Sequence, residues 1–384
     1  MTMVLGTLAL VSLAISFIAY GCLSRKLQVR PEPRDVLPPI SILKPLKGLD
    51  DGLYENLAAI ARQDYPAFEV LFCAEDADDP ALAVAEQVQR DFPGVPIRVL
   101  SGALDDGLNP KVRILRRLLP ACRHEWILIS DSNVRPGPDY LRAQVGTQQA
   151  TGAALVSTLL AGVGERSIGA RLENLQMNGW VAASIAFCDA GEHACVIGKS
   201  MLMNQRALRD VGGLEGVKDI LAEDYILGSR FGERGHVVAL SSYVLEVVSG
   251  ARDLGTFFNR HVRWGQMRRR IAPVFYLGET LVNPFPFFLA LFCVGAPEFR
   301  WLAAVGMALR WSLDVRAYLA LTPGGSKTSL ALLPLKDALM PFVWAVGAVS
   351  TRVAWRGNRM RVGPGSRLSP LHQPGLEEAI PERA

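Results

Sequence analysis

The run Trp126-Ile127-Leu128-Ile129-Ser130 is the most strand-like stretch of this chain, and it ends abruptly at Asp131-Ser132-Asn133. A short apolar run that is rich in β-branched residues and bounded by polar residues is typical of a buried strand. The polar cluster that follows would then stand at the carboxyl end of that strand. This run therefore indicates both the fold class and the place where a ligand would bind.

Runs of the same kind precede it and alternate with segments of helical spacing. Strands are predicted at 40–43, 68–73, 97–100 and 126–130, and helices at 53–62, 81–90 and 112–119. This alternation predicts an α/β fold with a mainly parallel sheet flanked by helices. Because ligands of such sheets bind beyond the carboxyl ends of the strands, the pattern points to Lys44, Asp76, Asp79 and Asp131.

The composition separates this chain from ordinary soluble enzymes. It has 384 residues, of which 50% are hydrophobic and 20% charged, and its mean hydropathy is +0.20. A soluble domain and membrane segments therefore share the chain. The net charge of +4 does not suggest a nucleic-acid partner. Six cysteines without a CxxC pair are typical of reduced thiols facing the cytosol, with no zinc site and no disulfide framework.

An apolar run over residues 3–23 predicts a membrane anchor. It is long enough to cross about 30 Å of hydrocarbon as a helix. A signal peptide carries its cations before the apolar run, whereas here they follow it, at Arg25, Lys26, Arg30 and Arg34. This order predicts an uncleaved anchor with the next domain on the cytoplasmic side.

Apolar sequence returns near the C-terminus at 281–296, 301–321 and 330–350. Charged residues interrupt the last two runs: Arg310, Asp314, Arg316, Lys336 and Asp337. Each charge inside a membrane costs about 2.5–3.5 kcal/mol on insertion scales, so we expect these side chains to pair, face protein or lie at the interface. The basic tail favours a cytoplasmic C-terminus, which requires an even number of crossings here, most simply two plus an interfacial or re-entrant segment.

The acids that follow predicted strands have two interpretations. Asp76 and Asp79 come after the strand at 68–73, and Asp131 after the strand at 126–130. They could bind a nucleotide or hold a divalent cation that bridges a diphosphate. Alternatively, residues Asp76 to Asp79 form a solvated turn that caps a helix beginning at Pro80, and Asp131 begins a loop as an Asx turn. No glycine-rich loop follows the first strand, which argues against a P-loop or dinucleotide site.

Two further motifs lie later in the chain. Glu223-Asp224-Tyr225 stands where a helix over 225–234 begins, and Arg260-His261-Val262-Arg263-Trp264 lies on a basic amphipathic segment. An acid that accepts a proton and an arginine cluster that holds a leaving phosphate suggest group transfer onto a lipid. The structural alternatives are an acid pair that complements a helix dipole and an interfacial helix that binds anionic headgroups.

In their order along the chain, these motifs resemble those of the ceramide glucosyltransferases. The matching segments are PISILKPLKG at 39–48, Asp64-Tyr65-Pro66, Asp78-Asp79-Pro80, Asn109-Pro110-Lys111, Asp131-Ser132, Ala222-Glu223-Asp224-Tyr225 and Arg260-x-x-Arg263-Trp264. The resemblance covers nearly the whole chain. It implies a GT-A fold, a UDP-glucose donor, a divalent metal (Mg²⁺ or Mn²⁺) and inversion at the anomeric carbon.

The resemblance also implies roles for the acids of the first half. Asp79 matches the first family aspartate, with Asp76 close enough to share the nucleotide contact. Asp131 matches the second, which approaches the metal and the diphosphate. Asn133 stands where many GT-A enzymes have the second acid of a DxD motif. Its carbonyl oxygen is therefore either a metal ligand or a bystander.

Asp224 matches the third family aspartate, which implies that it is the catalytic base. Arg260, Arg263 and Trp264 match the RxxRW motif. Displacement at an anomeric carbon needs such a base, because an alcohol is a poor nucleophile until its proton begins to leave. The leaving UDP gathers negative charge that arginine forks and a divalent cation stabilise, and Trp264 could stack beside the sugar or close the site.

Lys44, Lys111 and Gly198 complete the candidate UDP-sugar site. Gly198 lies in a run over 195–203 that we expect to form a strand lining the sugar, where a glycine lets the backbone approach a ligand. Lys111 either reaches uridine or phosphate or is a surface lysine at a helix end. His193 and His261 rank below Asp224 as bases, because a lone histidine is usually structural.

These features divide the chain into six parts. They are a transmembrane anchor (1–24), a linker (25–39), a cytoplasmic GT-A catalytic domain (40–252), a basic interfacial segment with RxxRW (253–280), a C-terminal membrane region (281–351) and a basic tail (352–384). The expected protein crosses the membrane several times, in a bacterium the inner membrane. Its partners would be a UDP-sugar donor, ceramide or another membrane lipid, and the bilayer.

The expected reaction moves a sugar, first of all glucose, from a UDP-sugar to the primary hydroxyl of ceramide or a similar lipid. One alternative uses a hopanoid or other lipid with UDP-GlcNAc or UDP-galactose. Another is a processive polysaccharide synthase, which usually carries QxxRW and more spans, so Arg260 and the short C-terminal region argue against it. A non-catalytic scaffold has no chemical need for Asp131, Asp224 and Arg263-Trp264.

Overall fold

The computed structural model describes residues 1–34, 36–193, 195–355 and 358–371. Three of the predicted parts therefore fall partly outside the described residues. They are the linker over 25–39, at residue 35, the predicted catalytic domain over 40–252, at residue 194, and the basic tail over 352–384, at 356–357 and 372–384.

Helices occur along the whole described chain. In order they are α1 (Thr2–Lys26), α2 (Leu53–Ala61), α3 (Pro80–Asp91), α4 (Pro110–Leu118), α5 (Tyr140–Thr151), α6 (Ile168–Gln176), α7 (Ala182–Ala190), α8 (Gln205–Asp210), α9 (Glu223–Glu233), α10 (Leu254–Ile271), α11 (Pro273–Val282), α12 (Pro284–Val294), α13 (Pro297–Leu321) and α14 (Leu333–Val349). A π-helical turn, Met177–Val181, joins α6 to α7.

A mixed sheet forms the centre of the domain between residues 40 and 252. Its strands are β1 (Ile40–Leu46), β2 (Phe68–Ala74), β3 (Ile97–Ser101), β4 (Trp126–Ser130), β5 (Val134–Arg135), β6 (Leu155–Val163), β7 (Ser200–Asn204) and β8 (Val238–Val248). Within the described residues their order is β3-β2-β1-β4-β7-β6-β8-β5. The run from β3 to β4 is parallel, as is the pair β6 and β8, whereas β7 is antiparallel to both of its neighbours. The predicted α/β fold is confirmed.

Helices cover both faces of this sheet, which explains why its first strands are apolar throughout. Ile40 and Ile42 of β1 pack with α2, α3 and α5 on one face, whereas Leu43 packs with α4, α8 and α9 on the other. Successive side chains of a strand point to opposite faces, so a strand between two helical layers needs apolar residues at both alternations.

The run over 195–203 differs from the expectation, because the strand begins only at Ser200. The amide of Asp131 donates to the carbonyl of Lys199 at 2.9 Å, which extends the pairing of β4 and β7 by one bond. One residue earlier, the carbonyl of Gly198 accepts from Lys111 at 2.7 Å and its amide donates to Asp224. Side chains of the site thus take the backbone groups that a longer strand would need.

Three helical segments of the described chain are long and apolar enough to cross a membrane. They are Thr2–Lys26, Pro273–Val294, which contains α11 and α12, and Lys327–Val349, which contains α14. They indicate a membrane protein. The fourth long apolar helix, α13, carries Arg310, Asp314 and Arg316.

Four charged side chains of α13 and α14 are buried and paired, which is one of the outcomes that the sequence predicted, whereas Arg316 is exposed. Asp314 Oδ2 lies 2.8 Å from Arg310 Nη1 and 2.9 Å from Lys336 Nζ. Tyr20 of α1 donates its hydroxyl proton to the other oxygen of Asp314. Asp314 therefore binds side chains from three helices. These contacts offset the free-energy cost of removing the charged groups from water.

The domain that contains the mixed sheet packs closely against this charge cluster through the π-helical turn. A Cβ atom added at Gly179 would lie 2.2 Å from Asp314 Oδ1, so only glycine permits this approach. Trp180 in the same turn lies beneath the Arg310 guanidinium, with 5.7 Å between the guanidinium carbon and the ring centroid. The turn that bridges α6 and α7 is thereby fixed to α13.

Replacing Asp314 tests how much this cluster holds together. Asp314→Asn removes the charge shared by Arg310 and Lys336, and breaking a buried ion pair costs about 3–5 kcal/mol. We expect a clear drop in the thermal unfolding midpoint of the protein in detergent. Arg316→Gln, on the exposed side of the same helix, is the matched control and should leave the midpoint unchanged. Equal midpoints for the two variants would contradict this role of Asp314.

Candidate active site

The candidate site lies where the parallel strands end and the antiparallel strand β7 begins. Lys44 belongs to β1, Asp131 follows β4, and Lys199 immediately precedes β7. Antiparallel pairing of β4 with β7 joins Ser130 to Ser200, which puts the next residues of both chains side by side. The strand register, rather than sequence proximity, therefore brings Lys199 to Asp131.

Asp131 is held between two ammonium groups. Its Oδ1 lies 3.0 Å from Lys111 Nζ, and its Oδ2 lies 2.8 Å from Lys199 Nζ. Burial alone would raise the pKa of Asp131, but the two lysines outweigh it and hold the pKa well below its usual range. Asp131 is therefore ionised at neutral pH. We call Asp131, Lys111, Lys199, Asn133 and Glu223 the Asp131 cluster.

The turn after β4 is held by neighbouring polar groups. The Lys44 ammonium is fully buried and donates to the carbonyl of Asp131 at 2.8 Å and to Ser130 Oγ at 3.2 Å. Burial lowers its pKa to about 7, against the opposing effect of the Asp131 and Asp50 carboxylates. Ser132 donates to Asp50. Lys44 thus fixes the backbone of the turn from below.

Lys111 connects Asp131 to the start of α9. Its ammonium lies 3.1 Å from Glu223 Oε1, in addition to its contacts with Asp131 and the Gly198 carbonyl. Burial opposes the charge of Lys111, but the carboxylates around it outweigh that effect and raise its pKa. Asn109 caps α4 through Val112 and also donates to Glu223 at 3.3 Å. The surface-lysine alternative for Lys111 does not hold.

The two adjacent acids Glu223 and Asp224 differ in environment. Glu223 is 5% exposed and engaged by Lys111 and Asn109. Asp224 keeps part of its surface exposed and accepts hydrogen bonds from the amides of Gly198 and Tyr225. Burial and the neighbouring Glu223 charge raise the pKa of Asp224 to about 6, against the opposing charge of Lys111. Asp224 is therefore the acid that can exchange a proton near neutral pH.

Gly198 makes room for Asp224. A Cβ atom at this position would lie 2.8 Å from Asp224 Oδ2 and 2.9 Å from its Cβ. The absence of a side chain at Gly198 therefore allows the Asp224 carboxylate to lie against this part of the backbone. The Gly198 carbonyl accepts from Lys111 and its amide donates to Asp224, so this residue connects the start of α4 with the start of α9.

The residues of the RxxRW motif lie on α10. Arg260 Nη1 is 3.3 Å from Glu173 Oε1 on α6, and its guanidinium carbon is 5.1 Å from the Trp264 ring centroid. Burial lowers the pKa of Arg260, whereas the carboxylates of Glu173 and Asp131 act in the opposite direction. The guanidinium thus lies within electrostatic range of the Asp131 cluster. Arg263 is half-buried on the same helix.

Glu173 and His261 complete the surroundings of Arg260. Glu173 is fully buried and also ion-pairs with Arg252. Among the described residues, Arg260 Nε and His261 Nε2 are buried without a hydrogen-bond partner. Burial lowers the pKa of His261 to about 3 against the opposing Glu173 charge, so this ring is neutral and a weak base. This agrees with ranking it below Asp224.

Asp76 and Asp79 occupy the structural role that was the alternative interpretation. Asp79 caps α3 by accepting from the amide of Ala81 at 2.9 Å, and it also accepts from Gly48 at 3.0 Å. Asp76 is exposed and lies 2.7 Å from Lys47 Nζ. These contacts tie the ends of β1 and β2 together. Whether either acid also contacts a nucleotide stays a prediction.

Asp131 and Asn133 are the candidate oxygen donors for a divalent cation. No cluster of three or more His, Cys, Asp or Glu residues that could hold a metal occurs within the described ranges. Asp131 Oδ2 and Asn133 Oδ1 both contact Lys199 Nζ, at 2.8 and 2.9 Å. Mg²⁺ usually binds through one or two carboxylates together with substrate phosphates. This donor pair therefore fits a cation that is also bound by a diphosphate.

Sequence reasoning did not select Lys199 or Asp50 as site residues. Lys199 is the charged residue of the otherwise uncharged run over 195–203, and this contrast was an available signal. Asp50 follows the turn after β1, but its contact with Ser132 depends on how two distant loops meet. The sequence gives no local sign of that contact.

The C-terminal residues hold the segment that precedes Asp224. The strands β9 (Arg352–Trp355), β10 (Asn358–Val362) and β11 (Leu368–Pro370) form a separate antiparallel sheet. Between β10 and β11, Ser366 accepts from the amides of Leu221 and Ala222, through its carbonyl and its Oγ, both at 2.9 Å. The two residues before Glu223-Asp224 are thus fixed by a residue far along the chain.

Comparisons with known proteins agree with this geometry. The description "glycosyl transferase family 21" belongs to the family model that matches residues 4–368. Ceramide glucosyltransferase 3 of Caenorhabditis elegans is 25% identical over 369 residues, which cover 93% of this chain and 80% of that protein. Ceramide glucosyltransferase 1 of the same organism is 25% identical over 92% of this chain and 78% of its own length.

A solved structure supports the fold. The mannosyltransferase PcManGT from Pyrobaculum calidifontis, in complex with GDP-Man and Mn²⁺, has 18% sequence identity and a TM-score of 0.50, and the match covers 90% of this chain and 98% of that one. The chain belongs to glycosyl transferase family 21 and is a glycosyltransferase with a GT-A fold. The resemblance to ceramide glucosyltransferases is confirmed.

Substitution of Ser366 tests the hold of the C-terminal residues on the site. Ser366→Ala removes the acceptor of the Ala222 amide, and a buried unsatisfied donor costs about 1–3 kcal/mol. We expect a lower thermal midpoint and earlier hydrogen exchange at residues 221–224. Ser369→Ala, at an exposed position of β11, is the control. Unchanged exchange in Ser366→Ala would show that this contact does not restrain the start of α9.

Proposed function

We propose that this member of glycosyl transferase family 21 transfers glucose from UDP-glucose to the primary hydroxyl of ceramide or a similar membrane lipid, with inversion. The observation that carries the proposal is Asp224, a partly exposed carboxylate with a pKa raised to about 6 beside the Asp131 cluster. The names of the C. elegans relatives support the choice of sugar and lipid.

Asp224 is the base of the proposed reaction. It takes the proton of the acceptor hydroxyl while that oxygen bonds to the anomeric carbon and the bond from this carbon to the diphosphate oxygen breaks. Attack from the face opposite the leaving group inverts the anomeric configuration. A carboxylate with a pKa near 6 is ionised at neutral pH and still basic enough to accept a proton in the transition state. Glu223 is unsuited to this role, since Lys111 and Asn109 engage it.

The leaving UDP meets cationic side chains in this proposal. Lys111 and Lys199 lie at Asp131, and Arg260 approaches from α10. Arginine forks match phosphate oxygens, and fixed cations stabilise negative charge as it develops. Arg263 assists on the same helix, and Trp264, which stacks under Arg260, borders the sugar.

Asp131 and Asn133 would hold a divalent cation, Mg²⁺ or Mn²⁺, together with the diphosphate. When bound, such a cation neutralises charge on the leaving group. PcManGT, which shares the fold at 18% identity, was solved in complex with Mn²⁺. That complex supports a cation site in a protein of this fold, but it assigns no residue of this chain as a ligand. Lys44, by holding the carbonyl of Asp131, orients the two oxygen donors.

A lipid acceptor is supported by the position of α10. Gln266 of this helix donates to Ser350 Oγ at 2.8 Å and to the Arg352 carbonyl at 3.0 Å, just beyond α14. Tyr276 of α11 stacks on Trp344 of α14 with ring centroids 5.2 Å apart. The helix that carries Arg260 is thus fixed to a helix apolar enough to span a membrane. An acceptor hydroxyl at the membrane surface would lie within reach of this junction.

The proposed protein crosses the membrane more than once, with the catalytic domain and the C-terminal residues on the cytoplasmic side. The segments Thr2–Lys26, Pro273–Val294 and Lys327–Val349 are the candidate spans. Arg25 and Lys26 in the last turn of α1 support the cytoplasmic placement of the domain that follows. Because the candidate span Pro273–Val294 begins inside the predicted interfacial segment (253–280), this topology shortens that segment to 253–272 and starts the C-terminal membrane region at residue 273.

Product analysis tests the proposed function. Membranes that contain the protein, given labelled UDP-sugars, Mg²⁺ or Mn²⁺ and a panel of ceramide and hopanoid acceptors, should form a chloroform-soluble glucosylated ceramide. Asp224→Asn should lower turnover by about 100-fold or more, as expected when a general base is lost. Asp210→Asn, an exposed acid on α8, is the control. A hopanoid or GlcNAc product would redirect the acceptor or donor assignment, and an aqueous polymer would indicate a processive synthase.

The pH dependence tests the assignment of Asp224. The base must be unprotonated, so kcat/KM should fall as the pH drops through about 6, the pKa of Asp224. Glu223→Gln removes the negative charge that raises this pKa, whereas the positive charge of Lys111, which lowers it, remains. The acid limb of the pH profile should therefore move to lower pH. Glu233→Gln, at the exposed end of α9, should leave the limb in place. A limb that stays fixed in Glu223→Gln would contradict Asp224 as the base.

A further inference from the structure

Lys199 contacts both oxygens that the proposed function assigns to a divalent cation. Its ammonium lies 2.8 Å from Asp131 Oδ2 and 2.9 Å from Asn133 Oδ1. A metal ligand must direct a lone pair at the metal, and an ammonium at hydrogen-bond distance claims the same region of the oxygen. Lys199 must therefore leave this position before Asp131 and Asn133 can bind a cation together.

The two lysines at Asp131 differ in how they are held. Lys111 also contacts Glu223 and the carbonyl of Gly198, so it keeps two partners when its contact with Asp131 is broken. Within the described residues, the Lys199 ammonium donates hydrogen bonds to Asp131 and Asn133, which are the two proposed metal ligands. Lys199 is thus the lysine that a cation at this place would displace.

Without a bound phosphate, the positive charges around Asp131 oppose the binding of a metal cation. Asp131 already has an ammonium at each oxygen, and Arg260 lies within electrostatic range. A divalent cation brought to Asp131 would meet this positive charge at short distance in a partly buried place, where Coulomb repulsion is weakly screened. A diphosphate brings negative charge for both the cation and the displaced ammonium.

We propose, on the basis of the proposed function, that Lys199 reserves the metal-binding oxygens and releases them to the cation when a nucleoside diphosphate arrives. The displaced ammonium moves onto a phosphate oxygen, which is a stronger acceptor than the Asn133 amide. Lys199 is a positioning residue in this scheme. Divalent cation and nucleotide then bind as a coupled pair, and the coupling is reciprocal.

Mn²⁺ binding tests the proposal without any turnover. The full-length protein in detergent is titrated with Mn²⁺ with and without saturating UDP, and the EPR signal of free Mn²⁺ gives the dissociation constant. We expect UDP to tighten Mn²⁺ binding by about tenfold or more in the wild type, within the usual range for coupled sites. In Lys199→Met, Mn²⁺ should bind more tightly without UDP, and the effect of UDP should shrink.

Two controls separate Lys199 from a general effect of charge or stability. Lys327→Met removes an exposed lysine elsewhere and should keep the wild-type coupling. Lys199→Gln provides a second neutral variant, chosen because its amide can still donate to Asp131, and thermal midpoints identify the variant that is folded. Asp131→Asn should weaken Mn²⁺ binding with and without UDP, which places the measured ion at this carboxylate.

Three results would overturn the proposal. They are equal Mn²⁺ affinity with and without UDP in the wild type, unchanged coupling in folded Lys199→Met and Lys199→Gln, and absence of Mn²⁺ binding even with UDP. None of these results depends on the acceptor or the sugar. If UDP and Mn²⁺ binding are coupled but no glycolipid forms, only the proposed lipid reaction is contradicted. If glucosylceramide forms but UDP and Mn²⁺ binding are not coupled, only the role of Lys199 is contradicted.

Discussion

The ion-paired contact of Asp131 with Lys111 and Lys199 is the constraint on which the rest of the site depends. It stands where β4, the last strand of the parallel run, meets the antiparallel strand β7. Lys199 is delivered by β7, and Lys111 comes from the first turn of α4. Lys111 in turn engages Glu223, which fixes the start of α9. One carboxylate therefore organises three elements that are far apart in sequence.

Adjacent acids acquire different properties through packing. Glu223 is buried between Lys111 and Asn109, whereas Asp224 faces Gly198 and retains exposure. A neighbouring negative charge and partial burial both disfavour ionisation, so the pKa of Asp224 rises. The same pair that complements the dipole of α9 thus includes one carboxylate, Asp224, with a pKa raised to about 6. The structural interpretation thus applies to Glu223, and the functional interpretation stays a prediction for Asp224.

The catalytic domain and the membrane helices are joined by polar contacts as well as apolar ones. Asp314 lies against Gly179 of the π-helical turn and binds Arg310, Lys336 and Tyr20. On the other side, Gln266 ties α10 to the end of α14. The π-helical turn before α7 therefore contacts α13, and the helix that carries Arg260 is held at the end of α14. The candidate site therefore keeps a defined position relative to α13 and α14.

The sequence alone determined the strand runs, the apolar spans and the motif order, because these depend on local periodicity and residue type. It thereby predicted the α/β fold, the enzyme family and the edge of the sheet at which polar residues gather. It could not decide that Asp79 caps α3, that the strand expected over 195–203 begins at Ser200, or that Lys199 meets Asp131 and Asn133. Those outcomes rest on the register of β4 against β7 and on hydrogen bonds between distant loops. Tertiary structure decided them, since only packing sets which polar groups meet and which are left to accept a proton.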